Sequence, residues 1–194
     1  TLARAGWKVL VLEANDRPGG GTRSEELTLP GFKHDVCSAI HPLGIASPAL
    51  RELPLERVGV RWIQPDAPLA HTLRPERAVM LERSLDATVE GLGTDGPGWR
   101  RLMGPAVRAG FELSDSLLAP LTIPPRHPIH LARYGAVGIR SVRSLARTHF
   151  HDDAGPALLA GLAGHSMLTL DSPITGGFGM LLGQLGHVVG WPMA

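Results

Sequence analysis

The residues best suited to chemistry lie in the run from Lys8 to Arg23, Lys-Val-Leu-Val-Leu-Glu-Ala-Asn-Asp-Arg-Pro-Gly-Gly-Gly-Thr-Arg. Val9, Leu10, Val11 and Leu12 are continuously apolar, which predicts a parallel strand over residues 7–13 covered on both faces. Glu13 ends that strand. A carboxylate at a strand tip can accept hydrogen bonds from both hydroxyls of a ribose, and it repels a 2′-phosphate. Gly19, Gly20 and Gly21 follow. Glycine lets backbone approach a pyrophosphate, and consecutive N–H groups can line an anion-binding concavity. Arg17 and Arg23 can add positive charge there, with Thr22 beside them in the same turn. Glu13, Arg17, Gly19, Gly20, Gly21, Thr22 and Arg23 are therefore the candidate cofactor-binding residues.

A dinucleotide fold also needs G-x-G-x-x-G roughly 20 residues ahead of the ribose-binding acid. Glu13 lies too close to Thr1 for that. Thr1–Gly6 reads instead as the last turns of a helix closed by a Gly6 cap. The expectation is a fragment whose first strand and phosphate loop lie upstream.

The apolar run, Glu13, the glycine turn and the segment Pro30-Gly31-Phe32-Lys33-His34-Asp35 together resemble the phytoene dehydrogenase and amine oxidase group of FAD-dependent oxidoreductases. The resemblance is strongest to the phytoene-dehydrogenase-like branch, and Gly190-Trp191-Pro192-Met193-Ala194 is also similar to it. The specific likeness covers about the first 45 residues and the last few. The resemblance implies FAD as cofactor and hydride transfer from an apolar small molecule to flavin. It also implies an α/β fold, α+β in the fragment. A partial Rossmann-like FAD-binding domain would occupy residues 1–45. An inserted, mostly helical substrate domain would span 46–188, with 189–194 starting the return to the first domain. Asn15 and Gly21 stand where the amine oxidase pattern often has arginine, which favours the phytoene-dehydrogenase-like branch.

Composition narrows the partners. The 194 residues hold 19 basic and 18 acidic side chains, so no electrostatic case exists for nucleic acid. Cys37 is the single cysteine, which excludes an internal disulfide and favours a reducing, cytoplasmic compartment. The 24 glycines and 17 prolines announce many turns and close backbone contacts. Nothing indicates an oligomeric state.

The elements that must position the site follow from periodicity and punctuation. Phe32–Ser38 alternates and reads as a strand. Ser47-Pro48 reads as an N-cap opening a short helix to about Leu53. Val58–Ile63, Leu69–Leu73 and Ala78–Glu82 read as short strands. Helices are expected at Ser84–Leu92, Trp99–Leu118, His130–Phe150, Pro156–Leu168 and Pro173–Val189. Pro120, Pro124, Pro125 and Pro128 forbid helix between the second and third of these. Arg133, Arg140, Arg143 and Arg147 fall near one face of the third.

Other chemistry is thin. The resemblance places Asp35, Cys37, Ser38 and His41 near the flavin, where His41 could move a proton, although a structural loop histidine is the commoner case. Cys37 reads as a small buried hydrophobe. His149, His151, Asp152 and Asp153 imitate a metal cluster, but a solvated loop with an Asp N-cap explains them better, and no metal is expected. Ser166 lacks the G-x-S-x-G context of a hydrolase. Residues 154–194 carry one formal charge, Asp171. They suit a buried core, the lining of an apolar tunnel or a peripheral membrane face. Catalytic residues stay unassigned. A flavin amine oxidase and a non-catalytic flavin-binding module are the alternatives to a polyene-type oxidoreductase.

Overall fold

The computed structural model describes residues 1–194 and separates into two compact units, 1–39 and 40–194. It combines helices with two small antiparallel sheets.

The first unit is almost wholly exposed. A 3-10 turn at Ala3–Ala5 ends at Gly6, whose φ of 82° lets its N–H reach the Ala3 carbonyl at 3.0 Å. That is the expected glycine cap. Residues 7–13, by contrast, join no strand, and Leu10 and Leu12 are 82% and 84% exposed. The predicted parallel strand is thus not formed. A β-strand exists only by pairing, and no segment of this chain lies beside it to supply the ladder. The expected strand at Phe32–Ser38 is reduced to two residues. β1 (Ser24–Glu25) pairs antiparallel with β2 (His34–Asp35). Cys37 is exposed, not buried, because this unit has no core to receive it.

The second unit contains α1 (Pro42–Ala46), α2 (Pro48–Arg51), β3 (Leu69–Arg74), β4 (Arg77–Leu81), α3 (Leu85–Gly91), α4 (Gly96–Leu118), α5 (Pro128–Gly138), α6 (Val142–His149), α7 (Ala154–Gly164) and α8 (Thr175–Val188). Prolines at the first helical position open α1, α2 and α5. Ser47 stands at the N-cap of α2, but its side chain makes no capping bond. Ser84, the first residue of the expected helix, caps α3 instead, its hydroxyl accepting from the Ala87 N–H at 3.2 Å. The strand expected at Val58–Ile63 is replaced by a 3-10 turn at Leu55–Val58 and a lone bridge between Ile63 and Met193. The helix expected over His130–Phe150 is two helices, α5 and α6. Ser141 ends the run by accepting the Ser144 N–H at 3.2 Å, which starts a new helix in a new direction. β3 and β4, the second and third of the expected strands, pair with each other alone as an antiparallel hairpin, with a bulge between Thr72 and Arg74.

Helix α8 is the central element. Gly176, Gly179, Gly183 and Gly186 lie three, four and three residues apart, which aligns them along its length. A Cβ at Gly176 would stand 2.7 Å from the Arg140 carbonyl, and one at Gly179 3.0 Å from Leu159. At Gly183 it would meet Met103 at 2.9 Å, and at Gly186 Leu81 at 2.5 Å. Missing side chains therefore let α6, α7, α4 and β4 close on one helix. Between them lies the core of Leu81, Trp99, Met103, Leu145, Leu158, Leu159 and Leu162. Apolar α7 and α8 are largely buried within this unit, and no helix is long and apolar enough to cross a membrane. Residues 189–194 pack in the same unit, with Trp191 in the core and the Pro192 carbonyl accepting from the His41 N–H at 2.8 Å.

Buried polar groups register the helices. Asp95, fully buried, accepts from the N–H groups of His151, Asp152 and Gly155 at 2.7, 2.9 and 2.8 Å. It thereby caps α7 from the start of α4. Asp153, at the N-cap position itself, makes no capping bond and instead pairs with Arg77 at 2.8 Å and Arg74 at 3.3 Å. The expected local Asp cap is therefore corrected: the capping acid lies 56 to 60 residues upstream of the N–H groups it serves. Gly110 breaks α4 at φ 52° and ψ −130°, and the Gln184 amide of α8 donates to its carbonyl at 3.1 Å. Trp99 donates its indole N–H to His187 Nε2 at 3.1 Å, and His187 Nδ1 faces the Arg83 carbonyl at 3.3 Å.

Two outcomes follow. Asp95→Ala leaves three N–H groups without their acceptor and should cost about 3 kcal/mol, with Asp95→Asn costing less. Urea unfolding followed by tryptophan fluorescence measures it, and a loss below about 1 kcal/mol contradicts the capping role. Burial lowers the pKa of His187 and of His149. The unfolded chain therefore binds more protons, so stability is complete above the unfolded histidine pKa of about 6.5 and falls as pH drops below it. His187→Gln keeps a donor and an acceptor but cannot titrate. Its melting temperature should depend less on pH between about 7.5 and about 5.5 than that of the parent; an equal dependence refutes the assignment.

Candidate functional site

In the first unit the glycine turn is built by its own backbone. Gly19 adopts φ 126° and ψ −17°, and Gly20 has φ 55°, values that L side chains rarely take. The Gly19 carbonyl accepts from both the Thr22 N–H at 2.9 Å and the Thr22 hydroxyl at 2.5 Å. Gly21 has a different role. Its carbonyl accepts from the Ser38 N–H at 2.8 Å, and a Cβ there would sit 3.3 Å from Cys37 Cβ. Gly21 thus docks the turn onto the chain after β2, while Gly20 faces open space.

The candidate residues divide accordingly. Arg17, Gly20 and Arg23 line one open concavity together with Asn15, Asp16 and Glu25. Glu13 is not among the lining residues but is hydrogen-bonded to Asn15, which is. Its carboxylate accepts from the Asn15 N–H at 2.9 Å and from Asn15 Nδ2 at 3.0 Å, and these bonds lower its pKa. The acid is thus ionised and held in one orientation while fully exposed. Arg23 donates to Glu25 at 2.7 Å and to the Gly20 carbonyl at 2.9 Å, so its charge is shared within the turn. Thr22 is spent on Gly19. Asp35 accepts from the Ser24 hydroxyl at 2.6 Å and serves the β1–β2 pair.

In the second unit, His41 is half-buried, its ring 6.3 Å from that of Trp62. His149 Nδ1 lies 2.9 Å from the Thr148 hydroxyl and 3.1 Å from the Leu145 carbonyl. His151 meets Asp95 through its backbone. No group of three or more His, Cys, Asp or Glu is placed to hold a metal ion. The four arginines expected along one helix face are dispersed by the break at Ser141. Arg140 bonds Ser144 and Thr148, Arg143 pairs with Asp171 at 2.7 Å, and Arg133 lies on α5.

Sequence reasoning missed a cavity of about 430 Å³ among α4, α5, α6 and α8. Arg101, Arg108, Arg133 and Tyr134 line it over an apolar floor. Tyr134 donates its hydroxyl to the Gly177 carbonyl at 2.5 Å, and burial raises its pKa. The signal was present as Arg101, Pro105 and Arg108 at helical spacing. It was legible only once a facing helix was known.

Residues 1–53 match the family described as the NAD(P)-binding Rossmann-like domain. The chain is also similar to a limonene dehydrogenase subunit of Castellaniella defragrans, with 30% identity over 121 residues. That alignment covers 62% of this chain and 22% of the relative, so the chain matches about a fifth of that protein's length. No solved structure matches the chain.

Proposed function

We propose that this chain is part of an FAD-dependent oxidoreductase of the phytoene-dehydrogenase-like type. Residues 1–45 would contribute to the dinucleotide site and residues 46–188 to the substrate domain. The observation that carries this reading is the exposed Glu13 carboxylate, held by Asn15 beside a turn whose Gly19 and Gly20 take left-handed backbone. The match of residues 1–53 to a dinucleotide-binding family supports it.

The residues present fit the adenosine ribose and pyrophosphate of such a cofactor. Glu13 supplies an oriented acceptor pair for two vicinal hydroxyls. Gly20 leaves space for close backbone approach, and Arg17 brings a cation to the same concavity. A carboxylate at this position selects against a 2′-phosphate, which favours FAD or NAD over NADP. Bound flavin supplies hydride acceptance; the protein supplies position and exclusion of water. Likeness to a dehydrogenase named for limonene, a hydrocarbon, supports an apolar substrate.

Glu13→Ala, made in the protein that carries this chain expressed in full, should weaken FAD binding about 10- to 100-fold, the worth of one lost charge-assisted ribose bond. Flavin absorbance retained after dialysis reads it, and retention equal to the parent refutes the ribose role. Gly19→Val forces a β-branched side chain into backbone it cannot adopt. It should lower flavin occupancy while the melting temperature, set by the core of residues 40–194, stays within about 2 °C of the parent. A normal flavin content in that variant would place the turn away from the phosphates.

A further inference from the structure

The cavity among α4, α5, α6 and α8 has a composition that a pure hydrocarbon does not explain. Leu102, Ala106, Ala109, Leu113, Val137 and Met180 form its floor and walls. Around that apolar interior stand Arg101, Arg108 and Arg133. Arg101 and Arg108 are two turns apart on α4, about 10 Å along the axis, with Pro105 between them on the same face. Arg133 rises from α5 opposite. None of the three has a carboxylate partner: the ion pairs of this unit engage other arginines, and no Asp or Glu lines the cavity. The nearby acid, Glu112, is taken by His130 at 3.0 Å and His127 at 3.5 Å. Tyr134 spends its hydroxyl on Gly177. Burial holds His149 towards its neutral form. The polar recognition left to the cavity is therefore cationic.

We infer that this cavity binds a single-chain amphiphile, its apolar tail among α4, α5 and α8 and an anionic head, carboxylate or phosphate, on Arg101, Arg108 and Arg133. Three cations without carboxylate partners on the lining of one open apolar pocket favour an anion there, and a guanidinium fork matches either head group in bidentate geometry. A volume of about 430 Å³ accommodates a tail of about ten carbons and lies within the ordinary range of small-molecule sites. The inference does not depend on dinucleotide binding.

Calorimetric titration with decanoate, decyl phosphate and decanol, each below its aggregation concentration, tests the assignment. The two anions should bind saturably at one site, at least one of them about tenfold tighter than decanol. The preferred anion identifies the head group. Arg108→Gln and Arg133→Gln change exposed side chains and should each weaken that anion about tenfold while leaving decanol unchanged. Ala136→Trp, at an exposed position on the cavity lining, should abolish binding of all three by filling the mouth. Circular dichroism of each variant certifies the fold. Glu13→Ala should leave these titrations unaltered, which separates this site from the dinucleotide site. Equal affinity for decanol and both anions, no saturable binding, or unchanged binding in the folded arginine or Ala136→Trp variants would overturn the proposal.

Discussion

The second unit depends on one buried carboxylate. A helix N-terminus leaves N–H groups without partners, and a buried anion must be compensated. Asp95 answers both requirements with the N–H groups of the loop leading into α7. Because Asp95 also precedes α4, the same bonds fix where α4 and α7 begin relative to each other. Trp99, one turn into α4, then stacks on Phe150 with ring centroids 6.3 Å apart and reaches His187 of α8. The cavity inherits this order. Arg101 and His149, which line it, are both set within a few residues of the Asp95 contacts.

The remaining polar groups in the core repair what close packing breaks. Glycine along α8 allows neighbouring helices to approach but leaves that helix with poor intrinsic propensity. Its stability therefore comes from burial against α4, α6, α7 and β4. Gly110 opens α4, and Gln184 returns a hydrogen bond to the freed carbonyl. Thr175 accepts from the Val142 N–H at 2.9 Å at the start of α6 and donates to the Ser172 carbonyl at 2.8 Å. These bonds specify which helix faces which, a choice that apolar contact alone leaves open.

The first unit is organised on a different principle. It has no buried residue, and its order comes from the short-range bonds of Asn15 to Glu13 and Thr22 to Gly19 and from the bond of Ser38 to Gly21 that docks the turn beyond β2. Such contacts shape a turn but do not bury an apolar run. Val9–Leu12 consequently keep a sequence suited to the centre of a sheet in a setting without a ladder. The candidate dinucleotide residues are therefore locally formed, and their geometry does not rely on a core.

Local chemistry was legible without coordinates. The Gly6 cap, the helix start at Pro48, the strands β3 and β4, the helix beginning near Ser84 and the glycine turn all have their signals in the residues themselves. Events set by distant partners were not. The apolar period continues across Ser141, so the break between α5 and α6 had no hydrophobic signature. The apolar run at residues 7–13 prescribes a strand, but pairing decides whether a strand exists. Nothing in the sequence singles out Asp95, because the N–H groups from which it accepts lie 56 to 60 positions away. The arginine-lined cavity needed two helices separated by a proline-rich hinge to face each other. Sequence by itself determined the turns, the caps and most helix positions, whereas tertiary structure decided the pairing, the buried charge and the cavity, since each of these is a relation between segments that no single segment encodes.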